Sequence, residues 1–107
     1  MRNNLVSYRE DLMRALRSPT ERAAYINAAM EDGDSKVILM ALRHVAEATG
    51  GMRLLSSRAK LSREALYRTL SPRGNPELSS LDRILRSLGL ALRVEPSRKH
   101  ALAHQGR

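Results

Sequence analysis

The sequence predicts an all-α protein, and three observations carry that expectation. Helix-start signals recur along the chain, as in Ser7-Tyr8-Arg9-Glu10 and Ser18-Pro19-Thr20-Glu21. Leu, Ile, Met and Ala return at helical spacing behind them. There is no Phe and no Trp, and only three Tyr, so aliphatic side chains on helix faces must fill the core. A short strand near the C-terminus is the one expected exception.

Residues 1–6 read as a frayed start. Ser7-Tyr8-Arg9-Glu10 is a capping box, in which the serine accepts from an unpaired helix N–H and the glutamate reaches back to the cap. The helix behind it runs to about Arg17. Ser18-Pro19-Thr20-Glu21 opens a second helix with Pro where its missing N–H costs nothing. Ala23, Ile26 and Met30 form its stripe, and Gly33 stops it in a left-handed turn. Asp34 caps a third helix from Ser35 to about Thr49. Its unbroken run from Val37 to Leu42 marks it as the central, buried one, and Gly50-Gly51 ends it.

Met52–Ala59 is a short helix, Lys60-Leu61-Ser62 a turn, and Ser62 the cap of a helix from Arg63 to about Leu70. Ser71-Pro72-Arg73-Gly74-Asn75-Pro76 is dense in breakers and predicts a loop. Ser79 with Asp82 reads as a further cap. Leu81, Ile84, Leu85 and Leu88 follow at helical spacing up to Gly89. Leu90-Ala91-Leu92-Arg93-Val94-Glu95 alternates apolar and polar, which predicts a strand ended by Pro96. Residues 97–107 lack periodicity and are expected to be a disordered basic tail.

At 107 residues the chain suits one core. It has no Cys, so disulfides and thiolate metal sites are excluded. No apolar run approaches the ~20 residues of a membrane helix, and the first residues lack a signal-peptide core. The protein is expected to be cytoplasmic. Enzyme chemistry finds no glycine-rich phosphate loop and no His–carboxylate pair at useful spacing, and no cofactor is implied. His44 falls on the buried helix and reads as structural. His100 and His104 lie four residues apart and would reach one metal ion only in a helix.

The net charge of +8 is unevenly spread. Between residues 52 and 73, Arg53, Arg58, Lys60, Arg63, Arg68 and Arg73 stand against Glu64 alone, whereas residues 1–51 sum to zero. A polyanion is the natural partner of such a segment. The same segment has the buried pattern of a helix-turn-helix. Met52, Leu55 and Ala59 line the first helix, Leu61 plugs the turn, and Ala65, Leu66 and Thr69 or Leu70 line the second. This leaves Ser62, Arg63, Glu64, Tyr67 and Arg68 facing outward, on the helix that would enter the major groove.

Arg63 or Arg68 can donate two bonds to a guanine edge. Ser62 can reach a phosphate through its hydroxyl and the nearby backbone N–H groups. Tyr67 suits a thymine methyl or a phosphate, unless its ring is half-buried. Glu64 could accept from cytosine, or simply favour the helix start. Arg53, Arg58, Lys60 and Arg73 suit phosphates. The turn departs from the usual pattern, with Lys60 at the position often held by Gly and Ser56 at the small-residue position.

The run Leu61-Ser62-Arg63-Glu64-Ala65-Leu66-Tyr67-Arg68, followed by Leu70-Ser71 and Gly74-Asn75-Pro76, resembles the addiction-module antidote family, HigA-like antitoxins with a Cro/repressor-type (XRE) helix-turn-helix. Tyr25-Ile26-Asn27-Ala28-Ala29-Met30-Glu31-Asp32-Gly33-Asp34 and Leu88-Gly89-Leu90 resemble it too, so the likeness covers about Ala23 to Val94. The resemblance implies a RelE/ParE-like (HigB-type) toxin partner, neutralised by direct binding, and repression of the shared operon through double-stranded operator DNA. A stand-alone XRE-type regulator without a toxin is the alternative. The implied fold is a five-helix globule of lambda-repressor type. Residues 1–33 would form an N-terminal helical extension packed on the core, 34–96 the DNA-binding domain with its helix-turn-helix at 52–70, and 97–107 the tail.

Two half-sites one DNA turn apart imply a homodimer, with the 90–95 strand or the last helix as its seam. The toxin contact is expected in residues 1–33. That segment is extra to a minimal repressor domain, is charge-balanced, and offers Glu10, Asp11, Glu31 and Asp32, together with the adjoining Asp34, to a basic toxin.

Overall fold

The structure, a computed structural model, describes residues 4–97. Helix α1 spans Asn4–Ala15, α2 Pro19–Asp32, α3 Ser35–Ala48, α4 Gly51–Ala59, α5 Arg63–Thr69 and α6 Leu78–Ser87. Among the described residues all regular structure is helical. The count is six, where a five-helix globule with an extension was expected. The N-terminal helices share the core: Leu16, Ile26 and Ala29 join Leu42, Val45, Leu66 and Ile84 in a single buried cluster.

Short-range chemistry sets most of the helix ends. The Ser18 hydroxyl accepts from the Glu21 N–H at 3.4 Å, with Pro19 in the first turn. Gly33 ends α2 at φ +84°, a conformation that costs glycine nothing. The Asp34 carboxylate accepts from the Lys36 N–H at 2.9 Å and starts α3. Helix α3 is central as expected. It buries Leu39, Ala41, Leu42, Val45 and Ala46 and packs against α1, α2 and α4. Met40 nonetheless faces outward, so the helix is not covered all round.

Three expectations need correction. Helix α1 begins at Asn4, so Ser7 is an interior residue rather than a cap. Nothing in Asn4-Leu5-Val6 breaks a helix, and the chain extends it upstream instead of fraying. Helix α6 begins at Leu78 after an extended Glu77, with the Leu81 N–H already bonded to the Glu77 carbonyl at 2.9 Å. Ser79 therefore falls inside the first turn, and Asp82 pairs with Arg86 at 3.1 Å. The strand over 90–95 does not form. An alternating segment becomes a strand only by bonding to a second one, and no other strand exists among the described residues. Leu92 and Val94 are left exposed.

Two arginines lock helix ends together. Arg22 on α2 donates from Nε to the Leu88 carbonyl at 3.0 Å, and from Nη1 to the Leu16 and Arg17 carbonyls at 3.1 and 2.9 Å. It thus satisfies carbonyls that the ends of α1 and α6 leave without helical partners. Arg43 on α3 donates to the Leu70 carbonyl just past α5. His44 is structural, as expected: its Nδ1 lies 2.7 Å from the Tyr25 hydroxyl, joining α2 to α3. The basic tail beyond Ser97, with His100 and His104, lies outside the described residues.

Candidate nucleic-acid interface

Helices α4 and α5 are joined by three residues, Lys60-Leu61-Ser62. Their facing sides are apolar. Leu55, Ala59, Leu66 and Leu70 are buried, while Met52, Leu61, Ala65 and Thr69 are half-buried. Leu70 rather than Thr69 thus completes the inner face. Helix α4 also rests on α3 and α6, so the pair is mounted on the core from behind.

The turn is tight although it holds no glycine. Lys60 adopts φ 58°, ψ 42°, and is the one non-glycine residue at positive φ among those described. The conformation lets the Lys60 and Leu61 N–H groups bond the Ser57 and Ser56 carbonyls at 3.4 and 3.1 Å, closing the end of α4. A side chain there costs about 1 kcal/mol relative to relaxed backbone. Ser56 fits its buried place because its hydroxyl donates back to the Arg53 carbonyl at 3.0 Å.

Ser62 caps α5. Its Oγ accepts from the Ala65 N–H at 3.0 Å, which leaves the hydroxyl hydrogen available to a ligand oxygen. The loop behind α5 is tightly drawn. A Cβ on Gly74 would lie 2.0 Å from the Thr69 carbonyl oxygen, so only glycine permits this approach. The Gly74 N–H bonds the Ser71 carbonyl at 2.8 Å, and the Ser71 hydroxyl donates to the Arg68 carbonyl at 2.8 Å.

All nine candidate residues, Arg53, Arg58, Lys60, Ser62, Arg63, Glu64, Tyr67, Arg68 and Arg73, are exposed. Tyr67 is 56% exposed, so its ring is not held in the core. Glu64 sits 3.6 Å from Arg68 one turn on, an exposed pair of small energetic weight. Arg63 and Tyr67 are likewise one turn apart and share a side of α5.

Arg58 is separated from its neighbours on α4. Five residues at ~100° each place it about 140° around the helix from Arg53. It lines a cleft with Arg17, Arg22 and Arg86 instead. Sequence reasoning did not anticipate that cleft, nor the Arg22 and Arg43 clamps. The Arg22 bond to Leu88 and the Arg43 bond to Leu70 span 66 and 27 residues, and no local pattern encodes them.

The described residues thus define a small helical protein presenting a short, cationic two-helix unit over a shared aliphatic core. Comparison with known proteins then places it. The family described as "Probable addiction module antidote protein" matches residues 7–96. A Haemophilus influenzae Rd protein described only as uncharacterized is 33% identical over 88 residues, covering 82% of this chain and 90% of the relative. No solved structure matches the chain. The chain belongs to the probable addiction module antidote family. An antidote implies a toxin as partner. No helix among the described residues is long and apolar enough to cross a membrane.

Proposed function

We propose that this protein is the antitoxin of a type II toxin–antitoxin module. It binds and neutralises a RelE/ParE-like (HigB-type) toxin and represses its own operon as a homodimer on double-stranded operator DNA. The reading rests above all on one observation: the two helices with the buried pattern of a helix-turn-helix expose every basic side chain between residues 52 and 73. In this reading α5 enters the major groove. Arg63 or Arg68 reads a base, Tyr67 packs one turn on from Arg63, and Ser62 with Arg53, Lys60 and Arg73 holds phosphates. Residues 34–96 form the DNA-binding part. Exposed Leu78, Leu92 and Val94 support a second copy seated at the C-terminal side.

The toxin contact falls on the N-terminal helices. At the start of α1, Leu5 and Tyr8 are 80% and 65% exposed, apolar surface that the other described residues leave open. Deleting residues 1–17 would also remove the buried Leu16, so surface substitutions test this contact more cleanly.

The direct test of the DNA half is a mobility shift on the upstream region of the operon at several salt concentrations. If each subunit meets about four phosphates, a dimer gives a log–log slope near −7. Arg63→Ala costs roughly 1–3 kcal/mol and relaxes sequence preference. A salt-insensitive shift, or equal binding by the variant, contradicts the reading.

A further inference from the structure

The cleft that takes Arg58 has a volume of about 450 Å³ and is walled by residues from five helices or their ends, with Ala48 and Thr49 at the end of α3 among them. Arg17 follows α1, Arg22 belongs to α2, Arg58 to the last turn of α4, and Arg86 to the last turn of α6. Among the described residues no carboxylate lines it. Asp82, outside the lining, holds Arg86 at 3.1 Å.

Part of this positive charge is structural. The C-terminal ends of α1, α3 and α6 meet here, and each carries about half a negative charge. Arg22 is fixed against two of these ends by its three carbonyl bonds. Those helix ends, the end of α4 that carries Arg58, and Asp82 together offset at most about three of the four guanidinium charges. Arg17 and Arg58 have no carboxylate partner among the described residues, and both are exposed at the cleft.

The hydroxyls of Thr49 and Ser87, also in the wall, donate back into their own helices, at 2.8 Å to the Val45 carbonyl and 2.7 Å to the Arg83 carbonyl. The donors offered to a ligand are therefore guanidinium groups, whose planar geometry matches phosphate oxygens. At Gly89 the absence of a side chain keeps the Arg22 Nη2 approachable: a Cβ there would lie 3.1 Å from it.

We infer that this cleft is a second anion site, distinct from the α5 face, that binds a phosphate group through Arg17 and Arg58 over the fixed cation of Arg22. It deepens the reading above by adding a phosphate contact off the α5 face, yet it is testable apart from it. The phosphate belongs either to flanking duplex DNA or to a small phosphorylated ligand, and these sources are separable.

The test is a titration of the full chain with inorganic phosphate, against chloride at equal ionic strength, followed by amide NMR shifts. The expected result is saturable movement at Arg17, Arg58 and Ser87–Gly89. Arg17→Gln with Arg58→Gln should weaken it about tenfold while the spectrum stays folded. If duplex DNA supplies the phosphate, Arg17→Gln also lowers the salt slope of DNA binding by about one. If a small ligand supplies it, that slope stays while phosphate binding falls. Amides that respond to phosphate no more than to chloride, together with an unchanged slope in Arg17→Gln, overturn the inference. A failure of the α5 reading would instead leave DNA binding indifferent to Arg63→Ala and the phosphate response intact.

Discussion

The α4–α5 unit and the start of α1 expose opposite kinds of surface. Around the Lys60 turn the apolar residues face inward and the outer side carries cations. At the start of α1 apolar side chains are left uncovered, in a half of the chain whose charges cancel. Both rest on α3, so one core supports two surfaces of different chemistry. Uncompensated charge suits a polyanion and tolerates water between partners, whereas uncovered apolar surface is stabilised only by dry contact with another protein. On this difference rests the proposal that DNA uses one surface and a protein partner the other.

That assignment can be broken by damaging one surface and asking whether the other fails too. Gly74→Ala should have the largest effect. Its new Cβ meets backbone of Thr69 that no rotamer change can move, so the loop must shift, at a cost of about 1–3 kcal/mol. Denaturant unfolding should show the loss. DNA affinity should fall with it while toxin binding stays within about twofold at temperatures where the variant is folded.

Lys60→Gly sharpens the comparison from the other direction. Relief of the left-handed backbone should outweigh glycine's extra freedom in the unfolded chain, raising stability by about 0.5 kcal/mol. Loss of the charge should lower the DNA salt slope by about one. A variant that gains stability yet binds DNA more weakly separates the turn's geometry from its charge. Unchanged DNA binding would remove Lys60 from the interface.

The smallest effect concerns His44, beneath α1. Burial, then the nearby Arg9 charge, holds its pKa below the usual imidazole range. Arg43 acts in the same sense and Glu47 against it. The unfolded chain therefore takes up the proton first. Stability is fully present above about pH 6.5 and declines as pH falls from there through the lowered folded-state value, levelling off below it. Unfolding curves between pH 8 and pH 5 should show this decline, and His44→Gln should flatten it. A wild-type curve that rises over the same window would mean the histidine is stabilised as the cation.

How much of this was legible in the sequence depended on range. Ser18, Asp34 and Ser62 act on residues two or three positions away, and their caps could be read directly. The inner and outer sides of α4 and α5 followed from helical spacing, which fixed which candidate residues are exposed. The strand expected at 90–95 failed because alternation is local while pairing is not. The starts of α1 and α6 were misread because serines resembling caps sit inside stretches that can remain helical. The Arg17, Arg22, Arg58 and Arg86 cleft has no local signature, because it gathers residues from five helices or their ends spread between positions 17 and 89.

The central claim is that DNA and toxin use separate surfaces. The most direct measurement puts two variants, Arg63→Ala on α5 and Leu5→Asp on α1, through two assays: mobility shift on operator DNA and co-purification with the co-expressed toxin. Arg63→Ala should weaken DNA binding about tenfold or more and leave toxin capture unchanged. Leu5→Asp should remove toxin capture and leave the DNA shift unchanged. Loss of both activities in a folded Arg63→Ala protein, or full toxin capture by Leu5→Asp, would contradict the assignment of the two surfaces.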